Sequence, residues 1–306
     1  MSAEGSTRAV ITALGANLGI AVTKFVAFAL TGSSSMLAEG IHSVADSSNQ
    51  VLLLVGGKRA GRRATEEHPF GYGRERYIYA FLVAIVLFSL GGLFALYEAW
   101  HKISDPHEIK EWQWVPIAVL LVAIVLEGTA LRTAVKESNR SRGRANWVQF
   151  VRRSKSPELP VILLEDTGAL AGLVFALAGV SLTLATGNGV WDGIGTAAIG
   201  VLLAAIAIVL GAEVKSLLIG EAATAEQVRE IRRAIVASPD VPELIHMRTM
   251  HLGPDELLVA AKIAVDLQDD AREVADAIND AEARIREAVP IARLIYLEPD
   301  VLRKGG

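Results

Sequence analysis

Six apolar runs, near residues 9 to 30, 36 to 56, 77 to 97, 112 to 131, 160 to 186 and 193 to 212, leave this 306-residue chain few folds to choose from. Each is close to the roughly 20 residues an α-helix needs to span the hydrocarbon of a bilayer. A soluble core has no use for six such segments, and 52% hydrophobic against 21% charged residues points the same way. The expected fold is an α-helical membrane protein, a six-transmembrane-helix bundle. The opening MSAEGSTRAV is short and carries Glu4, and the first run is too long for the core of a signal peptide, so no cleavable leader is expected.

The cations orient the bundle. Lys58, Arg59, Arg62, Arg63, Arg74 and Arg76 lie between the second and third runs, and Arg132, Lys136, Arg140, Arg142, Arg144, Arg152, Arg153 and Lys155 between the fourth and fifth. The links on the opposite side hold only Lys102 and Lys110. Fourteen against two places both termini in the cytoplasm. Lack of a transit peptide favours a bacterial inner membrane. The segment from Arg132 to Lys155 reads first as topogenic charge, with a nucleic-acid or lipid patch as the alternative; no nucleic-acid partner is expected. Trp100, Trp112, Trp114 and Trp191 fall near the outer ends of runs, where amphipathic rings prefer to sit.

Chemistry concentrates in MLAEGIHSVADSSNQ, residues 36 to 50. His42 and Asp46 are four apart, which on a helix stacks them on one face roughly 6 Å apart along the axis. Asn49 follows three residues later on the same face. An imidazole and a carboxylate at membrane depth are costly, which makes them a functional site by default. Glu39 precedes them, and Lys24 in the first run either pairs with it or snorkels outward. The fifth run opens LLEDTGALAGL and brings Glu165 and Asp166 in from the cytoplasmic side. With no cysteine in the chain, a metal must be held by His, Asp, Glu or Asn. If Asp166 faces His42 and Asp46, one nitrogen and at least two oxygens converge, a set suited to Zn²⁺ or Co²⁺ and less selectively to Fe²⁺ or Mn²⁺. The links at 101 to 111 and 137 to 159 read as polar and irregular, and Asp192 as the cap of its own helix.

From about Ala222 the composition turns soluble. Helical and strand periods alternate as αββαβ through TAEQVREIRRAIVAS, ELIHMRTMHL, ELLVAAKIAVDL, DAREVADAINDAEARIREAV and ARLIYLEP. The expected domains are residues 1–221 in the membrane and 222–306 outside it. Two other classes are open on the residues alone. An intramembrane metallohydrolase would offer a His-Glu-x-x-His helix or a comparable base, which the chain lacks. A non-transporting scaffold would leave His42, Asp46 and Asp166 unexplained.

HSVADSSNQ, HPFGYGRERY, LLEDTGALAGL and KSLLIGEA, in this order and at these runs, resemble the cation diffusion facilitator family over residues 8 to 300, most nearly the branch with the mitochondrial zinc transporter. The resemblance implies a homodimer with six spans per chain, a cytoplasmic ferredoxin-like domain, and efflux of divalent metal in exchange for protons, with metal as substrate and no catalytic residues. It also implies ligand pairs at i and i+4 on the second and fifth spans. His42 and Asp46 match the first pair and Asp166 the end of the second, but Ile162 stands where the fourth ligand belongs, so Asn49, Glu165 or water is left to complete the shell. Further sites look depleted: Tyr72 stands for a His beside Glu66 and His68, and in the soluble domain His246 matches a ligand position while Ala261 and Glu298 replace others. Arg74 resembles a basic residue that pairs with an acid after the sixth span, where Glu221 is available.

Overall fold

The computed structural model describes the backbone of residues 3–106 and 112–302, with side chains from residue 17 onward; Lys110 lies outside the described residues. The chain forms two compact units, Met1–Gly57 with Ile78–Lys215, and Lys58–Tyr77 with Ser216–Gly306.

The first unit is helical: α1 (Ala3–Thr31), α2 (Ser34–Ala60), α3 (Glu75–Val86) and α4 (Phe94–Ser104) joined by a π-turn at Leu87–Leu93, α5 (Trp114–Arg142), α6 (Trp147–Arg153), α7 (Glu158–Thr186) and α8 (Val190–Ile219). Among the described residues, four rods are long and apolar enough to cross a membrane: Glu75–Ser104, Trp114–Arg142, Glu158–Thr186 and Val190–Ile219. Asn17–Thr31 is apolar but shorter, and α2 is broken up by Glu39, His42, Asp46 and its serines. Six helices thus occupy the places of the six runs, and four of them meet the spanning criterion by themselves.

Burial in this unit departs from a soluble protein's, although Leu87, Leu173 and Leu203 are buried as in any core. Lys24, Glu39, His42, Asp46, Asn49 and Glu165 are inside, while Val22 of α1 and Val122 and Val125 of α5 are more than 60% exposed. An apolar outer surface with the ionisable side chains confined to the interior is what a lipid solvent selects. Small residues let the rods approach: a Cβ on Gly195 of α8 would stand 2.9 Å from the Phe175 carbonyl of α7, and one on Gly92 3.1 Å from Ala204 of α8.

The two links read as irregular are partly helical. α5 runs on to Arg142, and α6 forms between it and α7 behind a capping box in which Asn146 accepts from the Gln149 amide and Gln149 from the Asn146 amide. Lys102, in the last turn of α4, is buried and donates to the Gly32 carbonyl at 3.2 Å, just past the end of α1.

The second unit carries α9 (Ala225–Val236), β1 (Leu244–Gly253), β2 (Glu256–Ala264), α10 (Ala271–Ala288) and β3 (Ala292–Asp300), the αββαβ order read from the sequence. β2 is central, antiparallel to β1 and parallel to β3. Its alternate residues Leu257, Val259, Ala261 and Ile263 face the helices, where Ile231 and Ile235 of α9 and Ala281 and Ile285 of α10 close the core. Truncating Leu257 to alanine is expected to cost this unit about 3 kcal/mol, read as faster amide exchange in β1, β2 and α10; unchanged exchange there would contradict the packing. Ser238 and Arg284 both donate to Asp280 at 2.7 Å, tying α9 to α10. Chiefly through the Arg284 hydrogen bond, the Asp280 carboxyl is held below its ordinary range, so the support it gives is present at neutral pH and fades as pH falls through that lowered range.

Candidate metal site

α2 carries the centre of the site, and three contacts fix its position. Its N-terminus begins at Ser34, whose amide donates at 2.8 Å to Asp192 Oδ2, while the Ser35 amide and the Ser33 hydroxyl reach Oδ1. Asp192 therefore caps α2 and not α8, its own helix, as the sequence reading had it. A carboxylate at a helix N-terminus also suits the helix dipole. One helical turn further on, Lys24 of α1 donates at 2.9 Å to both Glu39 Oε2 and Ser43 Oγ, so the buried lysine pairs and does not snorkel. On the opposite side α7 comes close at Gly172, where a Cβ would meet Glu39 Oε1 at 2.9 Å.

At the next turns His42 Nε2 lies 3.5 Å from Asp46 Oδ2. Asn49 donates to Glu165 Oε1 of α7 at 3.2 Å, and the Glu165 carboxyl also neighbours Asp46. Both ring nitrogens of His42, Asp46 Oδ1 and Asn49 Oδ1 are buried without a hydrogen-bond partner. Leaving so many polar atoms of one layer unsatisfied costs roughly 1–3 kcal/mol for each group. Asp166 is half-buried beside Glu127 of α5, and Ile162 is partly exposed. Among the described residues no three His, Asp or Glu side chains form a ready-made metal cluster. The arrangement is a His–Asp pair on α2 and two neighbouring acids on α7, with the helices joined by the Asn49–Glu165 hydrogen bond.

In the second unit, Tyr72 is occupied by other work. Its ring takes the Arg62 guanidinium at 4.6 Å and the edge of His68 at 4.7 Å, and its hydroxyl pairs with Thr65. Arg74 donates to Met250 Sδ at 3.6 Å and Arg76 to Asp255 at 2.6 Å. His251 is buried, its Nδ1 3.3 Å from the Gly253 carbonyl.

The family model of the cation efflux transmembrane domain matches residues 10–219. The chain belongs to the cation efflux family. Members of this family are transporters and not enzymes, and the metal is cargo and not a cofactor. The mitochondrial proton-coupled zinc antiporter SLC30A9 of Xenopus laevis is 30% identical over 269 residues, 87% of this chain and 48% of that one. The human protein of the same name is 31% identical over 246 residues, 79% of this chain and 43% of that one. The chain therefore spans about half the length of these relatives, and its likeness to them sets it in the SLC30A9-like branch. A solved structure of the MamM C-terminal domain in a nickel form is 16% identical and covers 25% of this chain and 96% of that one, at a TM-score of 0.24.

Proposed function

We propose that this chain is a six-span efflux transporter for a divalent metal cation, Zn²⁺ first and Co²⁺, Fe²⁺ or Mn²⁺ next, exchanging metal for protons by alternating access. The observation that carries the reading is the His42–Asp46 pair. Its 3.5 Å separation is long for a hydrogen bond but close to the edge of a zinc tetrahedron, where ligands about 2.1 Å from the ion stand about 3.4 Å apart. One ring nitrogen of a neutral His42 and the Asp46 carboxylate offer lone pairs to such an ion. Glu165 and Asp166 of α7 supply the remaining oxygens, and Asn49 either holds Glu165 in place or joins the shell.

Proton coupling follows from the ligand types. Metal binding requires carboxylates and a neutral imidazole, so a proton on any of them must leave as the ion enters and return as it departs. With both termini cytoplasmic, the exchange moves metal out of the cytoplasm of a bacterial cell. Residues 1–221 carry transport, and 222–306 form a cytoplasmic ferredoxin-like domain. Ile245 and Tyr296, exposed on its strands, mark the sheet face through which two copies would pair as a homodimer.

Zinc flux into proteoliposomes of the purified chain tests the reading. Flux is expected to rise with an opposing proton gradient and to acidify the side the metal enters from; zinc uptake no faster than in empty vesicles would leave a scaffold and overturn it. Running Co²⁺, Fe²⁺ and Mn²⁺ in parallel ranks the cargo.

A further inference from the structure

The basic stretch from Arg132 to Lys155 does more than orient the chain. Next to it, at the end of the membrane unit where α5 and α8 finish and α7 begins, lies an apolar groove of about 910 Å³ between α5, α6, α7 and α8. Val135, Val148, Val151, Leu164, Ile208 and Val209 form its walls, with Trp147, Arg152, Thr167 and Glu213 among its polar members. α6 builds it. Phe150 is buried with Ala134 and Leu163, which pins the short helix between α5 and α7 and leaves Val148 65% exposed beside the groove. The Arg142 guanidinium covers the Trp147 ring at 4.4 Å and donates to the Ala145 carbonyl, holding the turn into α6.

We propose that this groove binds a glycerophospholipid with an anionic headgroup, its acyl chains along the apolar walls and its phosphate among the cations at the end of α6. Charge decides the occupant. Residues 132–155 hold eight cations and one acid, Glu137. Glu213 pairs with Arg152 at 3.4 Å, and Arg153, the next residue, is a second exposed cation at the end of α6. An anionic headgroup is attracted to such a cluster where it meets the bilayer surface. A free phosphate would leave the apolar walls uncovered, and a second copy of the chain would bring the same eight cations against themselves. Leu163, Leu164 and Thr167 line the groove and bracket Glu165 and Asp166, so an occupant packs against the stretch of α7 that carries those acids.

Trp147 provides the readout. The purified full chain and its Trp147→Phe variant are titrated in detergent with phosphatidylglycerol or phosphatidylcholine brominated on the acyl chains, and with inorganic phosphate. The fluorescence difference between the two proteins is expected to be quenched at about tenfold lower mole fraction by the anionic lipid, and not to respond to phosphate. Exchanging both exposed cations, Arg152→Gln with Arg153→Gln, should bring the anionic lipid to the level of phosphatidylcholine. Equal quenching by the two lipids means ordinary boundary lipid and overturns the proposal, as does a preference that survives the double substitution or a phosphate ion that competes it away. None of these readings depends on metal transport.

Discussion

Asp46→Ala is expected to cut zinc-driven flux at least about 100-fold while the protein folds and extracts as before. Removing groups that merely orient a metal ligand costs 10–100-fold, and a direct ligand should cost no less. Folding should survive because Asp46 is weakly held: it is buried, one of its oxygens has no partner, and its nearest titratable neighbours are the His42 ring and the Glu165 carboxyl. A buried carboxyl with so little compensation is costly to keep, so its loss is expected to leave folding intact. The variant thus separates the two meanings of a buried acid. Metal-driven proton movement persisting in it would end the proposal that Asp46 holds the ion. Glu165→Gln and Asp166→Asn, measured beside it, show which acid of α7 reaches the ion. The larger loss is expected from Glu165, which is buried and bonded to Asn49, whereas Asp166 stands half-buried beside Glu127.

What the sequence disclosed and what it hid divide along a physical line. Features set within one helix were legible. The i, i+4 spacing of His42 and Asp46 put them on one face, and the switch from helical to strand period after Ala222 gave the αββαβ order. Lys24 and Glu39 were also legible, because in apolar surroundings opposite charges on adjacent runs have few other partners. Features that depend on which helices are neighbours were not. Asp192 lies 158 residues from the Ser34 amide it accepts, so nothing local distinguishes it from a cap of its own helix. Lys102 looked like an exposed link cation until the fold put it against the end of α1. Helix α6 did leave a signal, Asn146 three residues ahead of Gln149, but within a run of arginines it passed for a solvated loop. The π-turn at Leu87–Leu93 left only the pair Gly91 and Gly92, which fit against Leu203 and Ala204 of α8.

The second large effect concerns that lysine. Lys24→Met is expected to destabilise the membrane unit by about 3–5 kcal/mol, a large part of the 5–15 kcal/mol that holds a typical domain together. Lys24 is 1% exposed and Glu39 not at all. Glu39 Oε1 already lacks a partner, so losing the ammonium leaves the whole carboxylate buried and uncompensated, one turn from His42 and against the backbone of α7 at Gly172. The expected result is a steep loss of folded protein on extraction and a lower midpoint of thermal unfolding. Glu39→Gln combined with Lys24→Met should restore most of both, because the partner's charge then disappears as well. A double-mutant cycle isolates the pair from the methylenes removed with it. If the single variant is as stable as the parent, the pair contributes no net stability and the position of α2 must rest on Asp192 alone. If the double variant folds but no longer carries zinc, the ammonium also sets the charge balance of the metal site, and the pair belongs to transport as much as to architecture.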